Sequence, residues 1–292
     1  MINARTLQAD FRGGVDGGYF RGSKVRFFDG DREIPATVTS VQLDKDKRPR
    51  GARLRVSSAV SSNVPGMWDQ GAGRVQGKRF LSRVCDDLAG AAAALAMLDE
   101  LMAMRPKAPV AVLLTRAEEV GFIGAMAASV SPKLLRKSDR LIAIETSAAQ
   151  PYAPQGKGAI IRVGDRTSIF NSDLTAFITQ IATELAKRNK TFHYQRALMP
   201  GGTCEATVYD IYGFTAGSIC IALGDYHNMD RERKKIGPEF IDLRDWHNMV
   251  DLFLAVARRG HVYQPGHGLL KQRIEKRFNK WSRLLAAISP EP

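Results

Sequence analysis

Four places in the sequence set acids or a histidine just after an apolar run or ahead of a helix, where a strand would give way to a loop. "PVAVLLT" (109–115) leads to Glu118 and Glu119, "RLIAI" (140–144) is followed by Glu145, "AGSICIAL" (216–223) leads to His227, and Asp86 and Asp87 stand just ahead of a helix-forming run. In α/β sheets, ligands gather outside the carboxyl ends of the strands. Carboxylates converging there raise one another's pKa unless a cation compensates, and carboxylate with imidazole is a ligand set that Zn2+ accepts. In a two-metal hydrolase one carboxylate bridges the ions, others hold each ion singly, and an unligated carboxylate takes a proton from the activated water. Taken singly, each residue also has a plain role: Asp86 and Asp87 as helix caps, Glu118 and Glu119 as acids of a helix start, Glu145 as a solvated strand end, His227 as a loop residue. Their conjunction at consecutive strand ends favours the metal.

The elements that must position these residues read as two blocks. "KVRFF" (24–28), "PATVTSVQL" (35–43) and "ARLRVSS" (52–58) are short β-type runs between Gly, Asp and Pro turns, closed by a Gly-rich linker over 62–80. After it, helical and strand patterns alternate: a helix over 88–104, strands over 109–115 and 140–145 with a short helix from Gly121 between them, and a strand over 159–163. A helix from about Ser172 to Lys187 with Ser172 as N-cap, a helix near 203–212, a strand over 216–223 and a helix opened by Asp242 complete the pattern. The predicted fold class is α/β: a mostly parallel or mixed sheet sandwiched by helices, with an all-β accessory domain at the N-terminus. The expected division is 1–78 as the β-rich accessory domain, 79–265 as the α/β domain, and 266–292 as a basic amphipathic helix. In that tail Leu270, Ile274, Phe278, Trp281, Leu285 and Ile288 recur at spacings of three and four, a face suited to docking on the chain's own domain or on a partner subunit.

Composition narrows the function classes. The chain has 292 residues, 44% of them hydrophobic, and a net charge of +13, an ordinary globular make-up that excludes disordered and fibrous classes. The excess charge lies mostly outside the middle: residues 81–265 carry 22 basic and 20 acidic side chains. With no recognition motif for nucleic acid, no membrane-spanning run and no signal-peptide pattern, the expectation is a cytoplasmic protein with neither nucleic-acid nor membrane partners. Cys85, Cys204 and Cys220 are too scattered for a disulfide framework. Cys85, His193, His247, Trp68 and Trp246 read as packing or surface residues, and Gly71 and Gly73 form no dinucleotide fingerprint.

"RVCDDLAGAAAAL", "LLTRAEEVGFIGA", "RLIAIETS", "MPGGTCEATVYDIYGFTAGSICIAL", "DYHNM" and "IDLRDWHNMVDLF" resemble, in this order, the di-zinc aminopeptidases of the glutamyl and deblocking (tetrahedral) type, within the superfamily of co-catalytic metallopeptidases. The resemblance covers essentially the whole chain. It implies Asp86 as the bridging carboxylate, Glu118 as general base, Glu119 and His227 as ligands of one zinc, and Glu145 as a ligand of the other. Gly201, Gly202 and Thr203 are implied as the loop beside the substrate cleft. The implied cofactor is Zn2+, with Co2+ or another divalent ion as alternatives, two per subunit in the family and one or two here. Peptide substrates and a homo-oligomer are the implied partners.

Three departures accompany the resemblance. Glu145 stands where the closest relatives carry aspartate, and Cys204 and Glu205 replace the acid of their Gly-Gly-Thr-Asp stretch. None of the five histidines forms the His-x-Asp pair that relatives place before the accessory domain, so that pair is expected upstream of Met1 and the N-terminal part of the catalytic domain is expected to be missing. The expected function is a metal-dependent exopeptidase removing N-terminal residues; the alternative is a catalytically impaired relative acting as a binding or assembly protein.

Overall fold

The computed structural model describes residues 6–104, 107, 109–264 and 268–286, which form two principal sheets with separate hydrophobic cores. The first is antiparallel, built from β1 (Thr6–Asp10), β2 (Lys24–Asp29), β3 (Arg32–Leu43), β4 (Pro49–Val56) and β5 (Gly66–Trp68), in the order β1-β4-β3-β2-β5. Its inward face follows the period of two that a half-buried strand requires: Val25 and Phe27, then Ile34, Ala36 and Val38, then Ala52, Leu54 and Val56 are all buried. Phe20 meets Phe11 and Trp68 edge to face, with ring centroids 4.7 and 5.1 Å apart, which makes Trp68 a core residue.

The segment expected to be a linker is not irregular. It supplies β5 to the first sheet, and then β6 (Arg74–Gln76) and β7 (Arg79–Ser82) to the second. These strands are only three or four residues long, too short for their alternation to show through four glycines.

The second sheet joins β7 and β6 to β8 (Arg140–Ala148), β9 (Ala159–Gly164), β10 (Tyr194–Leu198), β11 (Thr215–Gly224) and β14 (Glu239–Asp242); β12 (Met229–Asp230) and β13 (Lys235–Ile236) make a separate hairpin. It is mixed. β10–β9 and β8–β11 pair in parallel, whereas β9–β11, β11–β14, β14–β7 and β7–β6 are antiparallel. β11 lies at its centre, with β8 along one edge for nine residue pairs and β9 and β14 sharing the other. Every residue from Ala216 to Leu223 is buried, as expected of a strand covered on both faces.

One face of this sheet carries α1 (Leu88–Met104), α3 (Ser172–Arg188) and α5 (Leu243–Arg259), which pack on Ile219, Ile221 and Leu223. Cys220 and Ala222 point the other way, onto Ile160 and Met199, and α2 (Ile123–Ser129) and α4 (Glu205–Ile211) pack on Ala143 and Ala216. Asp242 caps α5 as expected, accepting from the Arg244 amide at 2.8 Å. α3 is capped one residue earlier than expected: Asn171, not Ser172, accepts from the Leu174 amide at 2.9 Å. Trp246 donates its indole N–H to the Ala89 carbonyl at 2.9 Å and ties α5 to α1.

One expectation fails. Residues 109–115 do not form a strand: Val110 and Val112 pack on the core, but among the described residues no strand lies alongside to complete a ladder, and Leu113 and Leu114 are exposed. The tail forms the expected helix, α6 (Gly268–Ala286), whose apolar face is not docked on its own domain among the described residues; the partner-subunit surface remains the other expectation. Ile274, Phe278, Trp281 and Leu285 are exposed, while Leu270 and Ile288 lie outside the described side chains. No helix among the described residues is long and apolar enough to cross a membrane.

Candidate metal centre and active site

Asp86 and Asp87 are adjacent yet take different roles. Asp87 accepts from the Gly90 amide at 3.2 Å and so starts α1, as the plain capping role requires. Asp86 is held away from the helix. The Cys85 and Asp86 amides both donate to one oxygen, Glu239 Oε2, at 2.7 and 3.1 Å, and Thr146 on β8 donates its hydroxyl to Asp86 Oδ1 at 3.0 Å. The Asp86–Asp87 peptide is cis.

Glu118 and Glu119 sit in a single 3-10 turn, Glu118–Val120, bracketed by the left-handed residues Ala117, Gly121 and Phe122. His227 lies in a second such turn and has a φ of +55°, between the left-handed residues Asp225 and Asn228. Non-glycine residues hold such a conformation only where their surroundings impose it. Here Asn228 donates to the carbonyls of Arg83 and Gly237 at 2.7 and 2.9 Å, and the His227 ring stacks on Tyr226 with centroids 3.8 Å apart. His227 Nδ1 is 3.2 Å from the Gly14 carbonyl oxygen. A carbonyl only accepts, so Nδ1 carries the proton and Nε2 presents its lone pair.

These turns bring Asp86, Glu119 and His227 together, with one ligand atom of each within 4.8 Å of the others. Two carboxylates and an imidazole form a donor set suited to Zn2+. The electrostatics agree. Burial, reinforced by Asp87, Glu119 and Glu239, holds the Asp86 carboxyl well above its ordinary range. Burial, then Glu119 and Glu205, pushes Glu118 up to about 7. A cation among these acids would favour their ionised forms.

Glu145, the remaining expected ligand, stands outside the three-residue group. It is half-buried on β8 and lines a cleft with Arg162, Gly201, Gly202, Thr203 and Tyr226. Open space surrounds Gly201 and Gly202, so their backbone is accessible from the cleft. Arg166 holds this loop by donating to the Gly201 carbonyl at 2.6 Å, and the Thr167 and Thr203 hydroxyls meet at 2.5 Å. The residues after the loop serve structure: Cys204 is buried, and Glu205 accepts from the Thr115 hydroxyl at 2.6 Å. Burial pushes the Cys85 thiol up to about 12, so it is neutral. His193 and His247 take no part.

Glu239, Thr146, Tyr226 and Arg162 were not singled out in the sequence. Thr146 and Tyr226 are chain neighbours of Glu145 and His227, a signal that was available. Glu239 meets Asp86 across 153 residues and had no local signature.

The mixed α/β sheet preceded by a small β domain matches the fold of several solved aminopeptidases. A TET1 peptidase of Pyrococcus horikoshii superposes with a TM-score of 0.67 at 20% identity, over 86% of this chain and 76% of that one. An aminopeptidase from Desulfurococcus kamchatkensis gives 0.67 at 20% identity, over 85% and 71%. An M18-family aminopeptidase from Thermotoga maritima gives 0.64 at 15% identity, over 86% and 74%. A search of curated protein sequences finds no match. The family model of the M42 glutamyl aminopeptidases matches residues 53–252, and the chain belongs to that family. It is thereby of the exopeptidase class.

Proposed function

We propose that this chain removes N-terminal residues from peptides in a metal-dependent hydrolysis, with Asp86, Glu119 and His227 holding a divalent ion and Glu118 acting as general base. The observation that carries the reading is the meeting of those three ligands, from segments far apart in the chain, within 4.8 Å. Zn2+ fits the donor set best, and Co2+ would be accepted by the same ligands. When bound, such an ion acts as a Lewis acid toward water and the scissile carbonyl.

The chain's own residues do the rest. Glu118 lies beside a ligand but outside the ligand group, and a carboxyl pushed up to about 7 can take a proton near neutral pH and return it to the leaving amine. Thr146 and Glu239 fix the Asp86 loop, and Gly14 fixes the imidazole. The open backbone at Gly201 and Gly202 borders the cleft where a peptide would lie. Burial keeps the Tyr226 phenol protonated, leaving it a hydrogen-bond donor at the same cleft.

We also propose a homo-oligomer in the cytoplasm. The Pyrococcus horikoshii relative is described as assembling into a tetrahedron or a larger octahedral shell. In this chain Leu88, Leu95 and Met102 form an exposed apolar stripe on α1, and the apolar face of α6 is open. Three free, buried cysteines suit a reducing compartment. The test of the activity is turnover of aminoacyl anilides by zinc-loaded protein, with N-acetylated anilides as control. Release from the free-amine substrates alone supports an aminopeptidase; no release from either class contradicts it.

A further inference from the structure

We infer that Arg162 is the fixed counter-ion of Glu145, and that the centre therefore takes a single metal ion, at Asp86, Glu119 and His227. The inference rests on that ligand set for the ion and on a separate set of contacts for Arg162.

The sheet register places the pair. Glu145 on β8 is the partner of Cys220 on β11, and Arg162 on β9 is the partner of Ser218 on the same strand. Residues 218 and 220 point to one face, and paired residues share it, so both side chains rise on the same side of the sheet across β11. Arg162 Nη1 lies 4.0 Å from Glu145 Oε1.

Among the described residues, no carboxylate other than Glu145 lies within ion-pair distance of Arg162. Its guanidinium cannot deprotonate and is 3% exposed, so a permanent positive charge is buried there and needs a negative partner. Asp165 is committed elsewhere, accepting from the amides of Thr167, Ser168 and Cys204 and from the Thr207 hydroxyl. Cys204 and Cys220 flank Arg162 as buried neutral thiols, and Phe170 offers only a ring face 5.8 Å away. Among the described residues Arg162 Nε has no hydrogen-bond partner. Asp165 and Glu118 act on the guanidinium from farther away, and Glu145 is the carboxylate at ion-pair distance.

The same pair disfavours an ion at Glu145. Among the described residues no group of three metal-binding side chains includes Glu145. An ion bound to its carboxylate would sit beside a permanent positive charge in a low-dielectric site, where like charges repel strongly. Arg162 thus supplies, as part of the fold, the positive charge a second ion would bring, and Glu145 becomes a wall of the cleft.

The test is zinc titration of metal-stripped protein by calorimetry, with elemental analysis of the dialysed complex. One equivalent per chain is expected. Glu145→Gln should keep that stoichiometry and hold the affinity within about threefold, whereas loss of a ligand or its orienting partner costs about 10- to 100-fold or more. His227→Ala should abolish tight binding. A metal-free readout probes the ion pair itself: Arg162→Met should lower Tm more in the Glu145 background than with Glu145→Gln. If Arg162→Met does not fold, Arg162→Lys replaces it, with a smaller difference expected. Two equivalents in the parent protein, one of them lost in Glu145→Gln, would overturn the single-ion assignment. Additive Tm losses would overturn the ion pair. No bound zinc at all would overturn the metal centre, and the single-ion count with it.

Discussion

His227 donates its Nδ1 proton to the Gly14 carbonyl, 3.2 Å away across 213 residues, so a loop of the first sheet orients a proposed ligand of the second. The contact has a steric counterpart. A Cβ added at Gly14 would fall 2.6 Å from His227 Nδ1, closer than any packing tolerates. The two parts of the chain therefore meet at the proposed metal centre.

Gly14→Ala is accordingly expected to weaken zinc binding by about 10- to 100-fold, the usual effect of losing a ligand's orienting contact. Gly14 has no positive φ, so the effect comes from displacement of the imidazole and not from backbone strain. Calorimetric zinc titration checks it. Unchanged affinity would contradict the proposed role of the Gly14 carbonyl.

Glu239 accepts both amides of the Asp86 loop on one oxygen, at 2.7 and 3.1 Å. Glu239→Gln keeps an oxygen there and should be tolerated. Glu239→Ala leaves two inward-facing amides without a partner, at about 1–3 kcal/mol each, and releases Asp86. Urea unfolding should place the glutamine variant near the parent and the alanine variant well below it.

The carboxyl groups of the centre set a pH dependence. Asp86 and Asp87 are held well above their ordinary values, and Glu118 rises to about 7, with burial the leading cause in each. Acids whose folded pKa exceeds the unfolded value leave more protons on the native state, so their contribution is full below about pH 4 and is lost as pH rises through the folded pKa. The metal-free protein should thus show a lower Tm at pH 8 than at pH 5. Added zinc should shrink the difference, because a cation stabilises the ionised carboxylates.

The three cysteines make a simpler case. All are free and buried, and burial pushes Cys85 and Cys220 up to about 12. A thiol reagent at pH 8 should label none of them in the native protein and all three in denaturant. Prompt labelling of Cys85 under native conditions would reopen a reactive role for it.

What was legible in the sequence follows from what is local. Alternation in the first block, the continuous apolar run of β11 and the Asp242 cap are written within a few residues, and the folded chain has them. The three-ligand group was legible because each residue follows or precedes its own element. Residues 109–115 misled because an apolar run becomes a strand only where a neighbour completes its ladder, which the run cannot encode. Arg162 and Glu239 stayed hidden for a related reason: a buried arginine inside "AIIRV" and a glutamate before "FID" acquire their roles only from partners brought in by the sheet register.

The most direct test of the account is Glu118→Gln, because it separates holding the ion from moving the proton. The account predicts a variant that binds zinc as the parent does and turns over aminoacyl anilides with a kcat lower by about 100- to 10,000-fold. A variant that retains parental kcat, or loses its zinc, would contradict the assignment of Glu118 as the base beside the ion.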